Sequence, residues 1–330
     1  MPESAVLALL TGTPASTAAA HAAVPVAELI EAAERYQDAG RAALTTRAAA
    51  SNWYQANLVF PDRGTAERTM ATLLGPKLRQ AQASGTTASW WYIRKTPYWR
   101  LRLRADQPHP EQLRRLTADL LDPLTAQGSI TTWSTAIYEP ETWAFGGPTG
   151  MEAAHHFFHA DSTHILTYLN HTLAQRDPQP AALGRRELSL LLCTALLRAA
   201  DQDWHEQGDV WHRVQQMRPL DANIPRDQLP STADKVHRIL TLDTEQTDLS
   251  SEGHDLLDPV RPWLAATNET GEALRNLAHT GVLRRGLRDV LAHHVIFHWN
   301  RLGLTTPAQA ILAHCASTVI LHTGSPPAQA

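Results

Sequence analysis

The chain has 330 residues, 43% of them hydrophobic and 19% charged, a composition that excludes wholesale disorder and predicts an ordinary globular protein. Its formal net charge of −4 argues against a general nucleic-acid binder, which is normally basic. The longest apolar run, residues 188–197, is far shorter than the ~20 residues that span a bilayer. The start carries no export signal, and both cysteines lie in apolar helical surroundings. We therefore expect a cytoplasmic protein with free thiols and no membrane partner.

The first 50 residues predict a small helical extension, residues 1–50. The alanine-rich residues 15–23 and the apolar stripe of residues 26–37 predict two helices, and Gly40 predicts the end of the second. A helix, a break and a second helix are also weakly typical of a helix-turn-helix. No basic recognition face follows, which favours a cap packed on the main domain.

From residue 53 the pattern alternates between strands and helices. The predicted strands are residues 53–60, 89–94, 98–104 and 129–138, and the predicted helices are residues 65–82 and a segment that begins at Pro110. This order is β-α-β-β-α-β, the split-βαβ or ferredoxin-like arrangement. We predict an α+β fold, with a sheet half at residues 52–148 and a mostly helical half at residues 149–320.

The second half predicts helices almost throughout. These are residues 151–173, 185–216, 233–242, 262–266, 272–278, 283–302 and 307–321. Three prolines predict a loop over residues 217–230, and the two consecutive prolines near the end predict a disordered tail at residues 324–330.

The most informative stretch is residues 90–104, which is rich in arginine and aromatic residues. On a strand, Arg100, Arg102 and Arg104 share one face and the leucines between them share the other. Neighbouring arginines then start about 6.6 Å apart, a row that suits a carboxylate or a peptide with acidic groups. The alternative interpretation is a solvent-facing strand whose cations discourage aggregation. The aromatic residues around the row suit an extended peptide.

Two groups of histidines also attract interest. His155 and His159 have the i, i+4 spacing of metal ligands, but no glutamate follows the first histidine and no cysteine is near, so we expect no metal site. His294, His298 and Arg301 share one helical face, where an imidazole is a candidate proton-transfer group. Because the chain has neither a glycine-rich phosphate loop nor a nucleophile elbow, we expect no cofactor.

Several short motifs stand in a particular order: residues 91–94, residues 97–103, residues 138–141 with 145–147, and Phe158 with residues 161–162. In this order they resemble the C-terminal domain of LanB-type lanthipeptide dehydratases. The same domain occurs alone in thiopeptide-type bacteriocin biosynthesis proteins, which include the pyridine synthases. The similarity covers residues 52–320 and leaves residues 1–50 outside.

That resemblance implies a tailoring enzyme that acts on a ribosomally made precursor peptide. The dehydratases eliminate glutamate from glutamylated serine or threonine, and the pyridine synthases join two dehydroalanines in a formal [4+2] cycloaddition. Arg100 and Arg102 match the family's Arg-Leu-Arg, which lies in the glutamate-elimination site. The dehydratase histidine falls on Ile296, and two further arginines fall on Pro140 and Ala144. These departures favour a diverged stand-alone enzyme over plain elimination.

We expect Arg100 and Arg102 to bind carboxylate or carbonyl groups, and His298 or His294 to transfer a proton across the same trough. The expected peptide-binding residues are Trp91, Arg94, Trp99, Arg104, Tyr138 and Arg301. The expected partners are the precursor peptide and a separate dehydratase. One alternative is a non-catalytic protein that delivers the precursor to that dehydratase. Another is RNA binding, which the element order and aromatic residues also fit but which the net acidic charge opposes.

Overall fold

A computed structural model describes residues 2–106, 110–174, 183–222, 224, 229–242, 250–251, 254–255 and 257–322. The predicted tail at residues 324–330 lies outside this described part, as do five residues of the loop predicted at 217–230. The chain divides into two units, Met1–Asn52 and Trp53–Ala330. Within the described ranges, no helix is both long enough and apolar enough to cross a membrane.

The first unit consists of α1 (Glu3–Leu10), α2 (Ala15–Ala22) and α3 (Val26–Ser51). Small buried side chains together with Val6 and Leu29 form its core. The prediction that Gly40 ends a helix is wrong, because α3 continues to Ser51. A glycine inside a helix costs only about 1 kcal/mol, and the alanine-rich residues that follow Gly40 are good helix formers.

The second unit begins with a four-stranded antiparallel sheet. Its strands are β1 (Trp53–Val59), β2 (Ser89–Lys95), β3 (Tyr98–Arg104) and β4 (Thr132–Ala136), in the spatial order β2-β3-β1-β4. Between β1 and β2 lie α4 (Arg63–Arg68), a π-helical segment (Thr69–Leu74) and α5 (Gly75–Ala83), and α6 (Pro110–Ala126) connects β3 to β4. The predicted α+β class is confirmed, with helices that far outweigh the sheet.

Strand β4 is shorter than the predicted strand at residues 129–138. The backbone N–H groups of Ser129 and Ile130 donate to the carbonyl of Leu124, at the end of α6, and Gly128 has a φ of 79°. These residues therefore complete the end of a helix and do not join the sheet. Beyond the strand, Tyr138 is buried and its hydroxyl contacts His155.

The strand register gives the sheet two different faces. Arg102 lies opposite Trp91 on β2 and Gln55 on β1, whereas Leu101 and Leu103 point to the other face and are fully buried against helices. The predicted alternation of arginine and leucine therefore holds along β3. However, the arginine face is also covered, because Arg102 itself is only 2% exposed.

The rest of the second unit is mainly helical. Its helices are α7 (Pro148–Ala174), α8 (Arg185–Ala199), α9 (Trp204–Met217), α10 (Leu229–Leu240), α11 (Arg261–His279), α12 (Leu287–Leu302) and α13 (Thr306–His322). Two-residue strands β5 (Ser250–Ser251) and β6 (His254–Asp255) and a 3₁₀ turn (Asp258–Val260) precede α11.

Two helix predictions in this part are wrong. The single helix predicted at residues 185–216 is two helices, because Asp201 has a φ of 60° and Asp203 caps α9 together with Glu206. The two short helices predicted at residues 262–266 and 272–278 are the single helix α11. A Cβ at Gly271 would overlap α8, so close packing between the two helices outweighs the poor helix propensity of this glycine.

The cap at the start of α9 gives a stability prediction. The Asp203 side chain accepts a hydrogen bond from the N–H of Glu206 at 2.7 Å, and the Glu206 carboxylate accepts one from the N–H of Asp203 at 3.1 Å. We expect Asp203→Ala to lower the free energy of unfolding by about 1 kcal/mol in urea denaturation. The control Asp119→Ala, at an exposed position inside α6, should leave stability nearly unchanged. Equal losses in both variants would contradict the role of the cap.

Candidate functional site

A cleft of about 800 Å³ surrounds the tip of the β2–β3 hairpin. The hairpin contributes its turn at Lys95, Thr96 and Pro97, and the opposite wall comes from α12 and the start of α13. The remaining lining residues that matter for binding are Arg63, Arg94, Trp99, Arg100, Arg102, Glu141, Arg218, Ile296, Phe297, Asn300 and Gln309.

Arg102 is held in place by aromatic rings. Its guanidinium carbon lies 4.2 Å from the centre of the Trp91 ring and 4.0 Å from that of Tyr138, and its Nε donates to Gln55 Oε1 at 2.7 Å. Burial lowers the pKa of Arg102 to about 10, although Tyr138 and Glu141 oppose that shift. Arg102 therefore remains charged at neutral pH, fixed by cation–π contacts that strengthen when water is excluded.

Arg100, Arg102 and Glu141 have hydrogen-bonding capacity at the cleft that the described part of the protein does not use. Nη1 of Arg102, Nε of Arg100 and Oε2 of Glu141 are buried, and none has a hydrogen-bond partner among the described residues. All three residues line the cleft. Since an unpaired buried polar atom costs roughly 1–3 kcal/mol, a hydrogen bond from a ligand to any of these atoms would remove that cost.

Arg94 also lines the cleft, but most of its donors are used inside the protein. Its Nε donates to the carbonyl of Arg301 at 2.9 Å, its Nη1 pairs with Glu67 at 2.5 Å, and its guanidinium lies 4.2 Å from the Trp99 ring centre. Gly303 has a φ of 81°, and a Cβ there would overlap this guanidinium. Arg94 therefore joins the sheet to the end of α12 and presents only Nη2 without a partner.

Glu67 connects the cleft to the helices behind it. Its carboxylate also receives two hydrogen bonds from Arg185 on α8, at 2.7 and 2.6 Å. Although burial alone raises the pKa of Glu67, the pairs with Arg185 and Arg94 hold it at about 2. This bidentate geometry is the strongest form of arginine–carboxylate contact, and it anchors α4 beneath the cleft.

The structure does not bring His298 to the cleft. Its ring is only 2% exposed and its Nδ1 pairs with Asp161 at 2.9 Å, on the side of α12 that faces away from the lining residues. Arg301 Nε donates to the same carboxylate at 2.6 Å, and Trp263 Nε1 donates to it at 2.9 Å. We therefore correct the expectation that the arginine row and His298 share one trough. The wall of the cleft that α12 contributes consists of Ile296, Phe297 and Asn300.

His294 is buried as well, and it faces Phe145, Phe157 and Phe158. Burial first, and then the charge of Arg301, lowers the pKa of His294 to about 3, so its ring is neutral in the interior. The expectation that this imidazole shares a trough with Arg100 does not match its position, because residues 294, 298 and 301 form the interior face of α12.

The other predicted residues divide between the cleft and its support. Arg104 pairs with Glu152 at 2.5 Å and does not line the cleft, whereas Trp99 does. Trp91 and Tyr138 act through Arg102, which they cover. The sequence did not predict a site role for six of these lining residues: Arg63, Glu141, Arg218, Phe297, Asn300 and Gln309. Glu141 had a signal, since it lies within one of the motifs that carry the resemblance.

The histidines with metal-ligand spacing are used in packing. His155 Nε2 lies 2.7 Å from the Tyr138 hydroxyl, and His159 Nδ1 lies 2.7 Å from the carbonyl of Trp90. In the described part of the chain, no group of three metal-binding side chains comes together. His159 instead holds α7 against strand β2 of the sheet, and His155 holds α7 against Tyr138, whose ring covers Arg102.

The family follows from a direct comparison. Residues 53–320 match the family model described as the C-terminal part of the lantibiotic biosynthesis dehydratases, so the chain belongs to this family. The resemblance that the motifs indicated is thereby confirmed. A comparison with curated proteins gives no match.

Three solved structures are similar in fold. The tRNA-dependent lantibiotic dehydratase MibB from Microbispora sp. 107891 shares 17% identity at a TM-score of 0.58; the alignment covers 81% of this chain and 28% of MibB. TsrL shares 18% identity at a TM-score of 0.56, with 81% and 94% covered. The pyridine synthase TbtD from thiomuracin biosynthesis shares 12% identity at a TM-score of 0.56, with 82% and 97% covered. The chain thus spans little more than a quarter of MibB and nearly the full length of the other two.

The buried Asp161 pair gives a prediction about acid stability. Burial raises the pKa of Asp161, but His298 and Arg301 outweigh that effect and hold it at about 2. The ionised carboxylate therefore contributes stability that is complete above about pH 4 and is lost as the pH falls towards about 2. We expect Asp161→Asn to cost about 3–5 kcal/mol at neutral pH, because Arg301 would be left as an unpaired buried charge.

The measurement is urea denaturation of both proteins at a series of pH values. Between about pH 4 and pH 2 the wild type should lose more stability than Asp161→Asn, so that the two curves converge. The same substitution at the exposed Asp119 serves as the control and should leave the curve unchanged. Parallel curves for Asp161→Asn and the wild type would contradict the assignment.

Proposed function

We propose that this protein is a tailoring enzyme that modifies a ribosomally made precursor peptide within the cleft. Its family, and the similarity of its fold to a lantibiotic dehydratase and a pyridine synthase, support a role in the biosynthesis of such peptides. The observation that carries the proposal is the set of unpartnered atoms of Arg100, Arg102 and Glu141 in a cleft of about 800 Å³.

Of the reactions that the resemblance implies, formal [4+2] cycloaddition of two dehydroalanines is supported best. Glutamate elimination needs a base for a weakly acidic α-proton, and no imidazole is among the residues that line the described cleft. The position that the resemblance assigns to the dehydratase histidine is Ile296, which does line the cleft. Cycloaddition instead needs two segments of one peptide held in reacting geometry. Such positioning can lower the activation barrier by up to about 7–11 kcal/mol through entropy.

In this mechanism the cleft positions the peptide and polarises its amides. Arg102 and Arg100 donate hydrogen bonds to the carbonyl whose oxygen gains negative charge as the new ring bonds form. The apolar wall of Ile296 and Phe297 excludes water from the reacting carbons. Water and the leader peptide then leave, as the resemblance to pyridine synthases implies.

Glutamate elimination is the second candidate, because one observation favours it. Arg100 and Arg102 match a carboxylate-binding pair, and Glu141 places a carboxylate in the same cleft as a candidate base. A precursor-binding protein without catalytic activity is the remaining alternative.

We also infer that the sheet portion is ferredoxin-like. Its elements follow one another as β-α-β-β-α-β, and the strands lie side by side in the order β2-β3-β1-β4 with every neighbouring pair antiparallel.

The deciding experiment offers the purified protein two forms of a serine-containing precursor peptide with a leader. One form carries dehydroalanines and the other carries glutamylated serines, and the products are identified by mass spectrometry. Cyclisation releases the leader peptide and water, and elimination releases glutamic acid. Binding without any change in mass would contradict both catalytic proposals and support the precursor-binding alternative.

A matched pair of variants then tests the role of the arginine row. Arg102→Gln should reduce kcat by about 10²–10³-fold, since it removes a fixed donor from the site. Arg115→Gln, the same change at an exposed position on α6, should leave kcat unchanged. Circular dichroism checks that both variants are folded. Wild-type activity in a folded Arg102→Gln variant would refute the proposed role.

A further inference from the structure

Arg218 lies in the wall of the cleft at the end of α9, and none of the sequence motifs points to it. Its Nε donates to the side-chain oxygen of Gln309 at 2.8 Å, and its Nη1 donates to the carbonyl of Met217 at 2.9 Å. Both acceptors are neutral oxygens. Among the described residues no carboxylate pairs with this guanidinium, whose Nη2 is not used.

The partner of Arg218 is itself fixed. Gln309 is 2% exposed, and its amide nitrogen donates to Asn300 Oδ1 at 3.0 Å and to the carbonyl of Leu304 at 2.9 Å. The amide oxygen must therefore point towards Arg218, because both amide hydrogens are used elsewhere. This series of hydrogen bonds connects α9, α12 and α13. It holds the Arg218 guanidinium at the cleft before any ligand binds.

Two other arginines that contact residues of α9 do pair with carboxylates. Arg213 on the same helix pairs with Asp209 and Asp289, and Arg288 pairs with Asp209 and Glu206. At Arg218, burial lowers the pKa, and among the described residues no acid opposes that shift. A partly buried cation without a carboxylate costs stability, and a ligand carboxylate would remove that cost.

We propose that Arg218 forms a second anion subsite of the cleft, which binds a carboxylate of the peptide at a point separate from Arg100 and Arg102. This inference rests on the proposed function, because it requires that an extended peptide binds in the cleft. The carboxylate belongs either to an acidic side chain or to the C-terminus of the peptide. A peptide that places one carboxylate at each subsite gains from both contacts at once.

The test measures binding of short fluorescent peptides of serine, alanine and glycine with amidated C-termini. They carry no glutamate, one glutamate, or two glutamates at a series of separations. With the wild type, the best two-glutamate peptide should bind at least about tenfold more tightly than the one-glutamate peptide. With Arg218→Gln this gain should disappear, whereas binding of the one-glutamate peptide should change little because Arg100 and Arg102 remain.

Three controls complete the design. Arg218→Lys should retain part of the gain, since it keeps the charge but loses the planar fork. Arg186→Gln, at an exposed position outside the cleft, should retain all of it. A one-glutamate peptide with a free C-terminus distinguishes the two carboxylate sources: it gains affinity through Arg218 only if the subsite accepts a terminal carboxylate. Thermal unfolding verifies that each variant is folded.

The outcomes separate this inference from the proposed function. If no glutamate improves binding and Arg102→Gln has no effect, peptide binding in the cleft is refuted. Suppose that one glutamate improves binding through Arg102 but the two-glutamate gain persists in Arg218→Gln. Peptide binding in the cleft is then supported, and the second subsite at Arg218 is overturned.

Discussion

The carboxylate of Asp161 connects three helices behind the cleft. Its partners are Trp263 on α11 and both His298 and Arg301 on α12, and every member of this group is buried. Removing one partner of a buried ion pair leaves an uncompensated charge, so α12 cannot rotate about its axis without a large cost. The face of α12 that lines the cleft is therefore fixed by residues that do not themselves line it.

The electrostatics of the cleft differ from those of the whole chain. The protein carries a net charge of −4, yet the lining residues that bear charge are mostly cationic: Arg63, Arg94, Lys95, Arg100, Arg102 and Arg218 against Asp62 and Glu141. Arg63 and Arg94 both pair with Glu67, which lies outside the lining and also binds Arg185. The remaining arginines carry charge that the described part of the protein does not neutralise, which favours an extended ligand with acidic or strongly polarised groups.

Family membership and reaction are separate matters in this protein. The same fold supports chains with different names, a tRNA-dependent dehydratase and a pyridine synthase among them, at less than 20% identity to this chain. Function therefore depends on the side chains at the site rather than on the fold. In this chain the cleft combines two guanidinium groups, a carboxylate at Glu141 and an apolar wall at Ile296 and Phe297.

The sequence by itself determined the family, the α+β class, the order of the strands along the chain and the alternation of arginine and leucine on β3. These features depend on local patterns, because a strand alternates its side chains wherever it lies. The sequence did not determine the break between α8 and α9, because only four residues, 200–203, separate two segments that each have helical patterns. Nor did it show that α11 runs through Gly271, since that depends on contact with α8.

Only the tertiary structure decided which residues meet at the cleft. Helix α12 is buried on several sides, so its apolar pattern has no clear period and gives no indication of which face holds the site. The structure turns His294 and His298 inwards and Asn300 towards the cleft. Arg218 comes to the same cleft from a helix end distant in sequence, and a contact of that kind leaves no periodic signal in the chain. Packing, rather than local propensity, thus selected the groups that face the cleft.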